Sequence, residues 1–128
     1  MGQQQLLLII LGVIIVGIAI AVGITMFSSA SVQSNKDALV NDLNNLAANA
    51  YQYKIRPSTM GGGQGSYASY NIPTKLLSND NGAFTATSAS STQITLKGAS
   101  SAYAGSSVTA ICDSNGRLGS FTYAGQFQ

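Results

Sequence analysis

Side chains that could do chemistry are few in this sequence of 128 residues, which contains no histidine and only four acidic residues. All four acids are aspartates, and they lie far apart in the sequence: Asp37, Asp42, Asp80 and Asp113. Asp37 and Asp42 are five positions apart, which does not bring two carboxylates onto one face of a helix. Because histidine and glutamate, the usual general bases, are missing, we expect a protein that is not an enzyme.

The single cysteine, Cys112, excludes an intramolecular disulfide and any metal site that one chain could build from cysteines. It alternates with Val108 and Ala110, which favours a buried small side chain over a reactive thiol. No cofactor is expected. The six basic residues are scattered and the net charge is only +2, so neither nucleic acid nor an acidic partner is indicated.

A glycine-rich stretch runs from Gly61 to Gly65, shortly after Pro57. It lacks the Lys-Ser/Thr ending of a phosphate-binding loop, and no strand precedes it, so we interpret it as a flexible surface loop. The six tyrosines are interpreted as packing residues of a core or an interface, rather than as a stripe for binding or electron transfer.

The longest apolar stretch, Leu6 to Phe27, carries no charge over about 22 residues, enough for a helix to cross a hydrocarbon core of about 30 Å. A cleaved signal peptide would have a basic start and a shorter apolar region, so a membrane helix is favoured. Small residues recur four positions apart within the stretch, at Gly17 and Ala21 and at Ala19 and Gly23. This spacing suits close helix pairing, but it also fits ordinary membrane-helix composition.

The helix is expected to continue beyond Phe27, because neither glycine nor proline interrupts the chain before Pro57. Apolar residues in this second half recur at spacings of three, four and seven, which predicts one apolar stripe. The stripe, which we expect to pack on a sheet, contains Val32, Leu39, Leu43, Leu46, Ala47, Ala50 and Tyr53. Since the residue before a proline is disfavoured in helices, the helix should end at Arg56.

From Tyr67 onward the apolar pattern has a period of two, which is typical of strands with one buried face. Turn residues separate the runs, including Asn79 to Gly82, Gly98 to Gly105 and Asp113 to Gly116. The inward positions are Phe84 and Ala86, Ile94 and Leu96, Val108, Ala110 and Cys112, and Phe121 and Tyr123. The sequence therefore predicts an α+β fold, in which one long N-terminal helix packs on an antiparallel sheet of about four strands. The chain is expected to divide into an apolar helix for the membrane or filament core (residues 1–27), its amphipathic continuation (residues 28–56) and a globular antiparallel β domain (residues 57–128).

An apolar N-terminal helix that continues into an amphipathic helix and a small antiparallel sheet resembles a type IV pilin or a related pilin-like subunit. The resemblance is specific over residues 1 to about 54 and architectural beyond them. In that family a prepilin peptidase cuts after a glycine that precedes the apolar stretch, and Gly2-Gln3 matches such a site. The mature chain would then begin at Gln3, the alternative being Met1. The family's N-terminal glutamate is absent in either case.

The resemblance implies a structural subunit that waits in the cytoplasmic membrane and is then polymerised by a pilus assembly machinery into a helical filament on the cell surface. Its partners would be other copies of the chain, the membrane before assembly, the machinery and the prepilin peptidase. The same apolar residues would serve as membrane anchor and as filament core: Leu6, Leu7, Leu8, Ile9, Ile10, Leu11, Gly12, Val13, Ile14, Ile15, Val16, Gly17, Ile18, Ala19, Ile20, Ala21, Val22, Gly23, Ile24, Met26 and Phe27.

Two other functions remain open from the sequence. The chain fits a pseudopilin of a secretion or DNA-uptake system, which would be scarce where a major pilin is abundant. It also fits a membrane-anchored module whose extracytoplasmic sheet domain binds a ligand. A truncated chain starting near Ser28 that binds a small molecule or glycan would favour this last reading.

Overall fold

A computed structural model describes residues 2–128. It contains one long helix, α1, followed by four strands and three short 3₁₀ helices, so the predicted α+β class is confirmed. The helix and strands are α1 (Gly2–Ile55), β1 (Gly82–Thr87), β2 (Ile94–Ser100), β3 (Ser107–Cys112) and β4 (Leu118–Ala124). The 3₁₀ helices are Ser58–Met60, Thr74–Leu76 and Gly125–Phe127. As expected, α1 ends just before Arg56-Pro57.

Internal contacts divide the chain into two compact units, with the boundary between Ser31 and Val32. The first unit is purely helical over its described residues 2–31, and each side chain from Gln3 to Ala30 is exposed. The second unit contains the rest of α1, the sheet and the hydrophobic core. Among residues 2–128, side-chain burial is therefore confined to the second unit.

The sheet is open and antiparallel throughout, with its strands in sequence order β1-β2-β3-β4. Each neighbouring pair is joined by a short connection, as the turn residues of the sequence predict. In the connection from β3 to β4, Gly116 has φ of 83°, a left-handed conformation that glycine adopts at little cost. The Asn115-Gly116 dipeptide thus forms a hairpin turn.

The core lies between α1 and one face of the sheet. Alternate strand residues point into it, which fits the period of two in the sequence. Residues of the connecting segment and the C-terminus complete the core. Its members are Leu39, Leu43, Leu46, Ala47, Ala50, Tyr67, Tyr70, Ile72, Phe84, Ile94, Leu96, Val108, Ala110, Cys112 and Phe127.

Two boundaries of the sheet differ from the sequence prediction. No strand forms between Tyr67 and Asn81 apart from an isolated bridge between Ser78 and Ala83; this segment instead contributes buried side chains to the core. Gly98 lies inside β2 rather than in a turn. A Cβ at position 98 would come within 2.9 Å of the Phe84 ring, so the glycine is explained by close packing and not by turn geometry.

Strand β4 departs from regular alternation. Its register with β3 shifts between Thr109 and Ile111, and Ser120 has a positive φ of 52°. This is a β-bulge, which turns the side chains that follow it. Phe121, predicted to be an inward residue, is 37% exposed, and Tyr123 is only partly buried. The prediction of a buried face for this strand is therefore wrong at Phe121.

Candidate functional site

The apolar segment Leu6–Phe27 is the candidate functional site, because it contains most of the large hydrophobic side chains that the structure leaves exposed. Exposure is 60% at Leu6 and 77% at Phe27, and none of the most apolar window of α1 is buried. Within residues 2–128, α1 is the one helix that is long and apolar enough to cross a membrane. Such a surface is unfavourable in water, since each fully buried Leu or Ile side chain gains about 1.5–3 kcal/mol.

The segment is apolar around its whole circumference. Ile14, Ile15 and Val16 are consecutive, so they point in directions about 100° apart, and all three are more than half exposed. A helix that is hydrophobic all round fits a membrane or the interior of a large assembly, whereas a helix with a narrow stripe fits a two-stranded coiled coil. The segment is therefore compatible with an apolar environment on every side, such as a membrane.

The hydroxyl of Thr25 is compatible with that environment. Thr25 Oγ1 donates a hydrogen bond to the carbonyl oxygen of Ala21 one turn earlier, at 3.0 Å. A polar side chain satisfied within its own helix can be placed in lipid or in an apolar bundle without an outside partner.

No neighbouring atom within the single chain accounts for the three glycines of the segment. A Cβ placed on Gly12, Gly17 or Gly23 would meet nothing within 4 Å. Together with Ala19 and Ala21 they leave space where a neighbouring helix backbone could approach closely. Whether they serve helix pairing stays a prediction.

The predicted processing site lies at the start of α1. Gly2 and Gln3 are exposed and helical, so both are accessible in this conformation. Met1, on the other side of the Gly2 residue, lies outside the described residues. Cleavage after Gly2 stays a prediction.

The predicted helix–sheet packing residues lie where α1 meets the sheet. Leu39, Leu43, Leu46 and Ala50 are buried, whereas Val32 and Tyr53 pack at the edge of the core and are partly buried. The Tyr53 and Tyr70 rings are 5.3 Å apart between centroids, and Tyr53 donates a hydrogen bond from its hydroxyl to the carbonyl oxygen of Ala68. The four buried residues thus hold the second half of α1 in the core, whereas the contacts of Tyr53 are with the segment between α1 and β1.

The glycine-rich stretch is bonded to the end of α1, a role that the sequence prediction of a flexible loop missed. The N–H of Gly63 donates to the carbonyl oxygen of Tyr53 at 2.7 Å, and the N–H of Gly65 donates to that of Lys54 at 2.5 Å. The last carbonyl groups of a helix have no partner within the helix, so the loop caps α1. A Cβ on Gly62 would overlap the Arg56 carbonyl, which explains a glycine there.

A second cluster of contacts, formed by Lys54, Tyr67, Asp113 and Ser114, joins the end of α1 to the turn between β3 and β4. Lys54 Nζ donates to the carbonyl oxygen of Ser114 and lies 5.3 Å from the centroid of the Tyr67 ring. The Tyr67 hydroxyl donates to the carbonyl oxygen of Asp113 at 2.5 Å. Spacing in the sequence gives no sign of this cluster, because its members lie up to 60 residues apart.

The ionisable groups of this cluster favour structure over reactivity. Burial raises the pKa of the Tyr67 hydroxyl and of the Cys112 thiol, so both stay protonated at neutral pH. The N–H groups of Arg117 and Asn115 donate to the Asp113 carboxylate and lower its pKa. Cys112 has no exposed surface, as its alternation with apolar residues predicts. A neutral, buried thiol is a poor nucleophile.

No grouping of three metal-ligating side chains occurs in the part of the chain that the structure describes. Comparison with known proteins adds no assignment: no family model matches the chain, and neither a curated protein nor a solved structure is significantly similar to it. The long apolar helix packed on a four-stranded antiparallel sheet is compatible with a pilin-like fold.

Proposed function

We propose that the chain is the structural subunit of an extracellular, type IV pilus-like helical filament, serving adhesion, motility or surface attachment. The observation that carries the proposal is the apolar surface of Leu6–Phe27, which is exposed on all sides of α1. Before assembly this segment anchors the subunit in the cytoplasmic membrane. After assembly the same segment forms the filament core, surrounded by the equivalent helices of other subunits.

Transfer of the segment from lipid to a bundle of helices costs much less free energy than its exposure to water. The segment contains 16 large hydrophobic side chains. Each is worth about 1.5–3 kcal/mol on burial, so exposure of all of them to water would cost tens of kcal/mol. Lipid and a bundle of identical helices both cover such a surface. Assembly therefore needs no large gain in apolar burial, and close packing between helices decides the balance.

The folded second unit suits the filament exterior. The outward face of the sheet carries small polar residues in one cross-strand row, in which Lys97 lies between Thr85 and Thr109, and Thr109 pairs with Thr122. The row contains one charge, and the chain as a whole has a net charge of only +2. In this proposal the prepilin peptidase and the pilus assembly machinery act on the N-terminal end of α1.

Electron microscopy of material sheared from cells that produce the chain tests the proposal. We expect thin filaments that contain this chain as the main component. The intact mass of the chain in these filaments should correspond to a mature chain that begins at Gln3. Cells producing the Ile14→Asp variant should lose the filaments, because a carboxylate at the middle of an apolar segment costs at least about 2.5 kcal/mol. The matched Ile14→Val variant should keep them.

The proposal would be overturned by filaments that lack the chain. It would also be overturned if the unmodified chain, Ile14→Asp and Ile14→Val all stayed monomeric in the membrane fraction. A chain found only in trace amounts within filaments made of another subunit would instead identify a pseudopilin.

A further inference from the structure

Two asparagine–glycine dipeptides occur in the chain: Asn81-Gly82 at the start of β1, and Asn115-Gly116 in the turn between β3 and β4. Asparagine followed by glycine is prone to spontaneous deamidation, because a glycine, which has no Cβ, lets its nitrogen approach the preceding side chain closely. Since both asparagines precede the same residue type, the sequence gives the two dipeptides similar intrinsic reactivity. Their surroundings in the folded unit, however, differ.

Asn81 is held in place through its side chain. Its Nδ2 donates a hydrogen bond to the Asp42 carboxylate at 2.9 Å, and its main-chain N–H donates to Asn79 Oδ1 at 2.8 Å. The neighbouring nitrogen is held as well, because the N–H of Gly82 donates to Asn79 Oδ1 at 3.1 Å. Gly82 is buried and pairs with Ser100 of β2. Reaction at Asn81 would therefore require the start of β1 to leave the sheet.

Asn115 lacks the restraint on its side chain. The residue is exposed, and within residues 2–128 no hydrogen bond, ion pair or ring contact holds its side-chain amide. The N–H of Gly116 donates to the carbonyl oxygen of Asp113 at 3.1 Å, so this nitrogen is held no more tightly than that of Gly82. Opening of the hairpin turn frees it, and a local opening of this kind needs less free energy than unfolding of the core.

We propose that Asn115 is a site of spontaneous deamidation, and that Asp42 protects Asn81 from the same reaction. The Gly116 nitrogen attacks Cγ of Asn115, the bond from Cγ to Nδ2 breaks, and ammonia leaves with the proton of the Gly116 N–H. Water then opens the cyclic succinimide at either of its carbonyl groups. The product is aspartate, or isoaspartate with an added methylene in the main chain. This inference does not depend on the proposed filament function.

The modified turn contacts the end of α1. Gly116 packs so closely on α1 that a Cβ at this position would lie 2.7 Å from Cγ of the Tyr51 ring. In the same turn, the carbonyl oxygen of Ser114 accepts a hydrogen bond from Lys54. An added methylene between residues 115 and 116 lengthens a turn that is packed on both sides, and must displace one of these contacts. Isoaspartate therefore weakens the attachment of the turn to α1, whereas aspartate keeps the length of the main chain.

Incubation of the folded full chain in heavy-oxygen water tests the proposal. Protein in detergent micelles is kept in this water at neutral pH and is then digested in ordinary water with trypsin. Cleavage after Lys75, Lys97 and Arg117 places the two asparagines in separate peptides, and mass spectrometry measures the heavy oxygen gained by each. Position 115 should react at least roughly tenfold faster than position 81, because opening at Asn81 breaks a further hydrogen bond to a charged group.

An unfolded sample in guanidinium chloride is the reference, in which both positions should react at similar rates. Asp42→Ala should accelerate the reaction at Asn81 by roughly tenfold and leave Asn115 unchanged. The matched Asp42→Asn variant, whose amide oxygen can still accept the bond from Asn81, should stay closer to the unmodified chain. Protection of Cys112 from thiol reagents establishes that both variants are folded. Equal rates at positions 81 and 115 in the folded chain, or an unchanged rate at Asn81 in folded Asp42→Ala, would overturn the proposal.

A second measurement tests the effect on the turn. Aged protein that contains isoaspartate at position 115 should expose Cys112 to a thiol reagent at a lower urea concentration than fresh protein. Asn115→Asp adds the charge without the methylene, so it should match fresh protein. If aged protein and Asn115→Asp gave the same urea midpoint, the inferred loss of contacts with α1 would be wrong.

Discussion

The contribution of the glycine-rich loop to the stability of the folded unit can be tested, because this loop caps the C-terminal end of α1. Gly63 donates its N–H to the carbonyl oxygen of Tyr53 at 2.7 Å. A Cβ on Gly63 would overlap the carbonyl oxygen of Ser66 and lie 2.9 Å from Cε1 of Tyr53. The Gly63→Ala variant must therefore shift the loop and weaken the cap.

The expected loss of stability follows from two opposing terms. Forcing an extra methyl group into a packed site costs about 1–3 kcal/mol. Removing a glycine from the unfolded chain returns about 0.4–1 kcal/mol, because fewer conformations are lost on folding. The free energy of unfolding should therefore fall by about 1–2 kcal/mol. With a denaturant dependence of about 1–3 kcal/mol per M of urea, the midpoint should fall by about 1 M.

Cys112 provides the assay, since it is the single thiol of the chain and has no exposed surface in the folded unit. Full-length protein in detergent micelles is equilibrated at increasing urea concentrations and pulsed with a thiol reagent, so the labelled fraction reports unfolding. Gly119→Ala is the matched control, because a Cβ there would meet nothing within 4 Å. Equal midpoints for Gly63→Ala and Gly119→Ala would refute the assignment of the loop as a helix cap.

Two further predictions concern the division of the chain and its response to alkali. A fragment of residues 32–128, which holds the whole core, should stay in the aqueous phase of a detergent phase separation, whereas the full chain should enter the detergent phase. A full chain found in the aqueous phase would contradict the proposed role of Leu6–Phe27 as a membrane anchor. Burial raises the pKa of Tyr70 from 10.0 to about 12. The folded state thus favours the protonated phenol, and this stabilisation is complete below pH 10 and is lost as the pH rises through 12. Cys112 labelling should show loss of stability between pH 10 and 12, and Tyr70→Phe should reduce the dependence of the free energy of unfolding on pH. If that dependence were the same in Tyr70→Phe, the assignment of this loss to Tyr70 would be wrong.

Local pattern was sufficient to predict the elements of the fold. The length and uniform apolarity of Leu6–Phe27 predict a long helix compatible with a membrane before any tertiary contact is considered. The spacing of Leu39, Leu43 and Leu46 gives the apolar stripe of α1, and alternation around Ile94 and Val108 gives the strands. These signals are readable because side-chain direction follows directly from backbone periodicity.

Tertiary structure decided what the glycines and the aromatic residues do. Gly98 is needed for packing against Phe84, and Gly63 is needed where a loop closes on a helix end, although turn composition alone suggested flexible connections. Phe121 fits a buried position by alternation, yet the bulge at Ser120 exposes it. Each of these roles depends on atoms that are distant in the sequence or on a single unusual backbone angle, and neither leaves a periodic signal. The sequence therefore determined the elements and the long apolar surface of α1, while tertiary structure decided which glycines are needed for packing and which aromatic side chains of the folded unit stay exposed.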